Sequence, residues 1–461
     1  MKSRRRRATL VAGALVVSVM AFSIGDAVSP IPVVQAAGLG AGGEYHPLTP
    51  TRIFDTRAPG INSPVGAIVT NSAGGVVDVQ ILGQGGIPAV AAEVLAVAIS
   101  VTVTNPTKEG YLAAYPSGSA AGISSVLNYV ANQTVPNLSV QTVGANGKIS
   151  IKLVSGQAGS ANVLIDVFGW FSTSTYATRG ARLIPVGPAR IYDSRESVFN
   201  PGAQPLGQGT LVNVPIRGAD SQLPNLIDVV PNSPDVVGVV LNVTGINDLT
   251  GSNATYVSVL PETPAANPTT SNLNLSVGQI KANLVIVPVT NADGAIRMFN
   301  LTGRTHLAVD VVGYMLANQD PATRLGRVIP LTAPFRSLDT REASFGNVAL
   351  GPAQTEGWSF SQFVASVTLD GQPVGNEIAL LGNLTGTGLT RAYPTLPVST
   401  FFTAFPSGVE RPFASNINVV EGANVPNMAI IKLGPDLQIK TFNNSGYLHY
   451  LFDVSAVVLA E

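Results

Sequence analysis

Cysteine is absent from the 461 residues, and histidine occurs only three times. The first absence removes disulfide scaffolds, thiol catalysis and Cys-based zinc sites; the second leaves too few imidazoles for a His-rich metal centre. Charge is scarce as well: Asp, Glu, Lys and Arg make up 11% of the chain, against about 25% in an ordinary soluble protein. Yet 45% of the residues are hydrophobic, so this is no disordered polyampholyte. Aromatics are only 6%, and the core falls to Val, Ala, Leu and Ile. Gly (47) and Pro (33) are plentiful but follow no triplet period, which excludes collagen and reads as turn punctuation between short strands. A cofactor loop is missing too. Gly83-Gln84-Gly85-Gly86 lacks the Lys-Ser/Thr of a phosphate loop and precedes Ile87-Pro88 instead of a helix. No cofactor and no metal are expected.

What is present begins with a leader. Lys2, Arg4, Arg5, Arg6 and Arg7 precede an apolar run from Ala8 to Gly25, the pattern of a signal peptide over residues 1–36. Val34-Gln35-Ala36 fits the small-x-small rule for cleavage; Gly25-Asp26-Ala27 is the rival site, an uncleaved anchor the alternative reading, and the arginines loosely fit a twin-arginine route. An extracellular or cell-surface location follows, with membrane contact only through this segment if it stays uncleaved. Cleavage after Ala36 removes five basic residues and Asp26, leaving a net charge of about −5. Nucleic acid, which needs a basic footprint, is therefore not an expected partner.

Three copies of one module fill the rest. Each opens on Arg-x-x-Asp-(Ser/Thr)-Arg: Arg52, Asp55 and Arg57, then Arg190, Asp193 and Arg195, then Arg336, Asp339 and Arg341. A middle block carries two Asn nine residues apart: Asn128 and Asn137, Asn274 and Asn283, Asn418 and Asn427. A closing block aligns Asp166, Asp310 and Asp453. The opening Asp recurs after 138 and 146 residues, too long a period for a solenoid, so each copy reads as a domain: 44–174, 181–316 and 327–461. Within a copy the apolar period is two, as in Lys148 to Val154, and runs such as Val94 to Thr104 are rich in β-branched residues. Strands separated by Gly, Pro and Asn clusters predict an all-β chain of three tandem antiparallel β-sandwich domains, jelly-roll or Ig-like, with negligible helix after the leader.

The opening, middle and closing blocks together resemble a module found singly or in tandem in secreted proteins of high-GC Gram-positive bacteria, often beside extracellular hydrolases. The resemblance covers nearly all the chain after the leader and implies an extracytoplasmic β-domain without a defined activity. The third copy departs from it, with Ala456-Val457 where the others have Gly and an aromatic.

The Arg/Asp motif could bind an anion, since guanidinium forks fit carboxylates. A structural ion-pair network is the stronger reading, because Asp166, Asp310 and Asp453 lie inside apolar strands and need a mate, which Arg52, Arg190 and Arg336 can supply. The Asn pairs lack the carboxylates of a calcium loop and read as turn-stabilising groups bonded to backbone. Asn242 and Asn383 head glycosylation-like triplets inside predicted strands and carry no role. Asn162, His306 and His449 share one position, read as a hydrogen-bonding surface position and no zinc ligand. No Ser-His-Asp order repeats, so no catalytic residue is assigned. The expectation is a secreted or envelope-associated, non-enzymatic structural or adhesive protein. A multivalent binder of cell-wall or other glycans, or of surface proteins, is the second reading, with Tyr111, Tyr115, Trp170, Tyr256 and Phe405 as its aromatic contacts. An extracellular hydrolase is the third.

Overall fold

A computed structural model describes residues 43–460 apart from 59, 64–65, 145, 174–175, 200–201, 222–227, 370–371, 374–376 and 393–397, together with 19–20 and 31–32. The leader therefore lies almost wholly outside the described residues. Its two short described segments, Val19–Met20 and Ile31–Pro32, pair in parallel with residues 357–358 and 367–368. No helix among the described residues is long and apolar enough to cross a membrane.

Each repeat supplies eight main strands. The first has β1 (Glu44–Asp55), β2 (Gly75–Gln80), β3 (Val94–Thr104), β4 (Gly110–Pro116), β5 (Leu127–Tyr129), β6 (Val135–Gln141), β7 (Lys148–Val154) and β8 (Gly159–Ser172). The second has β9 (Arg182–Asp193), β10 (Thr210–Pro215), β11 (Val236–Asn247), β12 (Thr255–Leu260), β13 (Leu273–Leu275), β14 (Gln279–Pro288), β15 (Ala295–Asn300) and β16 (His306–Leu316). The third has β17 (Val328–Asp339), β18 (Gln354–Ser359), β19 (Glu377–Thr390), β20 (Ser399–Pro406), β21 (Ile417–Val420), β22 (Val425–Lys432), β23 (Gln438–Asn443) and β24 (Tyr447–Leu459). Two main sheets form per repeat, β1-β8-β3-β6 and β2-β7-β4-β5 in the first, and both orders recur in the others with each label raised by eight; a minor seventh sheet pairs residues 367–369 with 372–373. One six-residue helix, Ser361–Ser366, interrupts the otherwise all-β third repeat.

The expectation of three tandem β-sandwich domains is corrected here. Six small sheets close on one another around a common axis, arranged as a six-bladed β-propeller, two neighbouring blades to a repeat. The edge strands β6, β5, β22, β21, β14 and β13 touch in that cyclic order, β13 returning to β6, while β6, β14 and β22 also meet across the axis. The physical reason is burial on both faces. All eleven residues of β3 and all seven of β6 are buried, which a two-layer domain facing water on its outer side does not allow. On one face, Ile99 and Val101 of β3 join a core private to repeat 1. From the other face, Ala96, Ala98, Leu138 and Val140 join Leu284, Ile286, Met428 and Ile430 in a core drawn from all three repeats. Side-chain alternation along a strand places one residue set in each core.

Candidate functional site

The recurring charged residues come together in each repeat. Arg52 lies opposite Asp166 across β1 and β8, next to a register shift between Ile165 and Asp166. Its Nε and Nη2 donate to the two Asp166 oxygens at 2.9 and 3.1 Å, and its Nη1 to Asp55 at 3.3 Å. Arg57 then grips Asp55 from outside through Nε and Nη2, at 3.0 and 2.8 Å, and through its backbone N–H at 2.9 Å. The result is an alternating Asp–Arg–Asp–Arg chain with no net charge. Repeat 2 builds the same chain from Asp310, Arg190, Asp193 and Arg195, and repeat 3 from Asp453, Arg336, Asp339 and Arg341. Burial alone would push Asp55, Asp193 and Asp339 up; the side-chain and backbone bonds from Arg57, Arg195 and Arg341 outweigh it and hold all three below the ordinary carboxylate range. Carboxyls held ionised in this way make poor proton donors.

The chains of repeats 2 and 3 sit at junctions between repeats. Asp310 accepts the backbone N–H of Ser415, which belongs to the middle block of repeat 3. Asp453 lines a narrow cleft with Ser124, Ser125 and Val126 of repeat 1, about 30 Å³ in volume, room for one or two waters. The Asn residues act at the same places. Asn137 Nδ2 donates to Val126 O of its own repeat at 2.6 Å and to Asn383 Oδ1 of repeat 3 at 3.0 Å, while its Oδ1 accepts Met428 N–H at 3.0 Å. Asn427 repeats this toward repeat 2, donating to Asn416 O and Asn242 Oδ1 and accepting Leu284 N–H. Asn242 and Asn383 donate in turn to the carbonyls of Ser415 and Ser125 across the junctions. The Asn137 and Asn427 amides thus clamp repeat to repeat, beyond the local backbone bonding expected of them, and Asn242 and Asn383 are clamp members.

The third junction, from repeat 2 back to repeat 1, differs. Cross-strand register places Ser100 opposite Asp166, where Asn242 and Asn383 stand opposite Asp310 and Asp453. A serine side chain is too short to bridge, and the buried Ser100 Oγ has no hydrogen-bond partner. Nearby on β14, Lys281 occupies the place of Val135 and Val425; its Nζ is buried without a partner, and burial draws it down to about 8.

The aligned polar positions are used locally. Thr56 Oγ1 bonds Asn162 at 3.0 Å, Ser194 Oγ bonds His306 Nδ1 at 2.8 Å, and Thr340 Oγ1 bonds His449 Nδ1 at 3.1 Å. The Ser194–His306 pair superficially suits a nucleophile and base. However, Ser194 is fully buried and its Oγ already accepts Leu307 N–H at 2.9 Å. Burial and the Arg195 cation also hold His306 below its ordinary value, which weakens it as a base. No group of three or more His, Asp or Glu among the described residues could hold a metal ion.

The aromatic candidates scatter. Trp170, Phe405 and Tyr115 are buried, Trp170 stacked on His46 at 4.3 Å. Tyr256 is half-buried, and its hydroxyl donates to Pro268 O at 2.5 Å in the loop that folds over its sheet. Tyr111 alone of the five is exposed, at 38%.

No family model matches the chain, and no curated protein matches it. Among solved structures, the N-terminal tandem of two CBM22 modules of Paenibacillus barcinonensis Xyn10C is similar over 61% of this chain and 100% of its own, at 14% identity and a TM-score of 0.16. A structure described under the triple jelly roll fold and turret assembly in an archaeal virus is similar over 91% of both chains, at 12% identity and a TM-score of 0.17. A Sulfolobus turreted icosahedral virus structure is similar over 90% of this chain and 91% of its own, at 10% identity and a TM-score of 0.17. Scores of this size carry no argument, and function rests on this chain's own residues.

Proposed function

We propose that the chain is exported and serves outside the cytoplasmic membrane as a non-enzymatic structural or adhesive component, its three repeats locked into one rigid block. One observation supports this most: the residues best suited to chemistry are already engaged. Each recurring carboxylate is bonded to a guanidinium of its own repeat. Asn137 and Asn427 are spent on neighbouring repeats. A group so committed offers neither a proton nor a lone pair to a substrate. The test uses purified residues 37–461 with peptidoglycan, peptides and esters, with and without divalent metal, alongside a glycan and cell-wall pull-down. The proposal expects no turnover and retention on envelope material. Turnover that disappears on Asp55→Asn or Asp166→Asn in a folded variant would refute it. Cytoplasmic full-length protein still bearing Met1 would refute the export.

A further inference from the structure

We infer that the end of the axis where the three repeats begin binds a small oxyanion. Glu44, Arg182 and Arg327 hold the same position in the three repeats, three residues ahead of Pro47, Pro185 and Pro330. They converge: Glu44 Oε1 accepts Arg182 Nε at 3.0 Å and faces Arg327 Nη2 at 3.3 Å. Equivalent positions that touch must lie at the axis. Arg179 adds a third guanidinium on the same carboxylate, with Nε and Nη2 at 2.7 to 3.0 Å. One carboxylate therefore serves three cations.

The same spacing supplies a fourth. Arg324 precedes Arg327 as Arg179 precedes Arg182, and its Nε is buried without a hydrogen-bond partner. It lies close enough to act electrostatically on Arg327 and on Glu377. Against these four cations stand Glu44, Asp320, which faces Arg179 and Arg182, and Glu377. Among the described residues that is four guanidiniums against three carboxylates, an excess of positive charge even when all three acids are ionised. Arg182 is fully buried, and its other N–H groups go to the carbonyls of Thr323, Leu325 and Asp320. Carbonyls satisfy hydrogen bonds but carry no compensating charge. A guanidinium does not shed its proton, so an anion taken from solution would offset the excess. Arg179 and Arg324 keep part of their surface exposed, which opens the cluster to a solute. Arg324, whose Nε has no hydrogen-bond partner, and the Nη1 edge of Arg179 that Glu44 leaves open suit the oxygens of phosphate or sulfate, while Arg182 and Arg327 supply the field behind them.

The experiment titrates residues 37–461 with inorganic phosphate, and separately sulfate, by calorimetry and thermal shift, against chloride at matched ionic strength. Saturable millimolar binding and a saturable rise in melting temperature are expected. Arg179→Gln/Arg324→Gln should weaken binding at least tenfold, whereas Arg304→Gln, at an exposed position elsewhere, should leave it unchanged. Should the double variant fold poorly, Arg324→Lys keeps the charge, loses the fork and should weaken binding several-fold. No binding heat would overturn the inference. So would a non-saturating rise equal in all variants, the mark of salt exclusion from the whole surface.

Discussion

Removing the Asp310 carboxylate should cost far more than removing the half-exposed arginine at the other end of the same chain. Asp310 has no exposed surface; it is held by Arg190 at 2.5 and 3.2 Å and also accepts Ser415 N–H from the next repeat. Asp310→Ala leaves the largely buried Arg190 with only Asp193, at 2.7 Å, and leaves the Ser415 amide unmatched. Breaking a buried pair from one side costs about 3–5 kcal/mol. If the ring unfolds as one unit, an unfolding entropy of about 2.1 cal/mol/K per residue over the whole chain makes that roughly 3–6 °C in melting temperature. Arg195→Ala breaks only the outer pair and should cost about 1 kcal/mol or less, roughly 1 °C. Replacing both partners, Arg190→Met with Asp310→Leu, should recover most of the loss, since no stranded charge remains. Differential scanning calorimetry on the four proteins decides it. An unchanged melting temperature in Asp310→Ala, or a double variant no better than the single, would refute the reasoning.

Lys281→Val, which installs the residue of the other two repeats, should stabilise the protein by on the order of 3 kcal/mol at pH 7. Because burial draws the folded-state amine down to about 8, the penalty shrinks as pH rises from there toward the unfolded value, so the gain measured by denaturant titration should be smaller at pH 10 than at pH 7. Ser100→Asn should complete the third clamp and raise stability by about 1 kcal/mol, while Ser100→Ala should be neutral or slightly stabilising; a large loss in Ser100→Ala would show that the hydroxyl has a partner after all. Burial pushes Glu377 up to about 7. A carboxyl raised on folding contributes stability below its unfolded value that is lost as pH rises through the folded one, so Glu377→Gln should gain on wild type at pH 8 and lose that advantage by pH 5. Asp55, Asp193 and Asp339, held low by arginine, do the reverse: their contribution is present above pH 4 and is lost in acid, so a melting-temperature profile should fall steeply below pH 4.

The repeats, their strands and the pairing partners of the buried Asp were readable because spacing and hydrophobic period are local properties. The ring was not. Its signal was present in the unbroken apolar run from Val94 to Thr104, which marks a strand covered on both faces, but a run alone does not say what covers the second face. The Asn clamps were legible as a constant spacing of nine, and their partners were not: Asn137 meets Asn383 across 246 residues of sequence. Likewise Glu44, Arg182 and Arg327 differ in charge, so nothing in composition marks them as equivalent until the fold brings them together. Three of the five aromatic choices, Tyr115, Trp170 and Phe405, are buried for a simpler reason. Position near a strand end does not give exposure, and Trp170 and Phe405 are core residues.

Small-angle X-ray scattering on residues 37–461 tests most directly whether the recurring motifs join the repeats into one body. A single compact ring of this length predicts a radius of gyration of about 22 Å, whereas three separate domains of this size in a line would give about 33 Å. A value near the first, kept at high salt, is what the junctions of Asp310 with Ser415 and of Asn137 with Asn383 require. A value near the second, or a distance distribution with three resolved maxima, would contradict them.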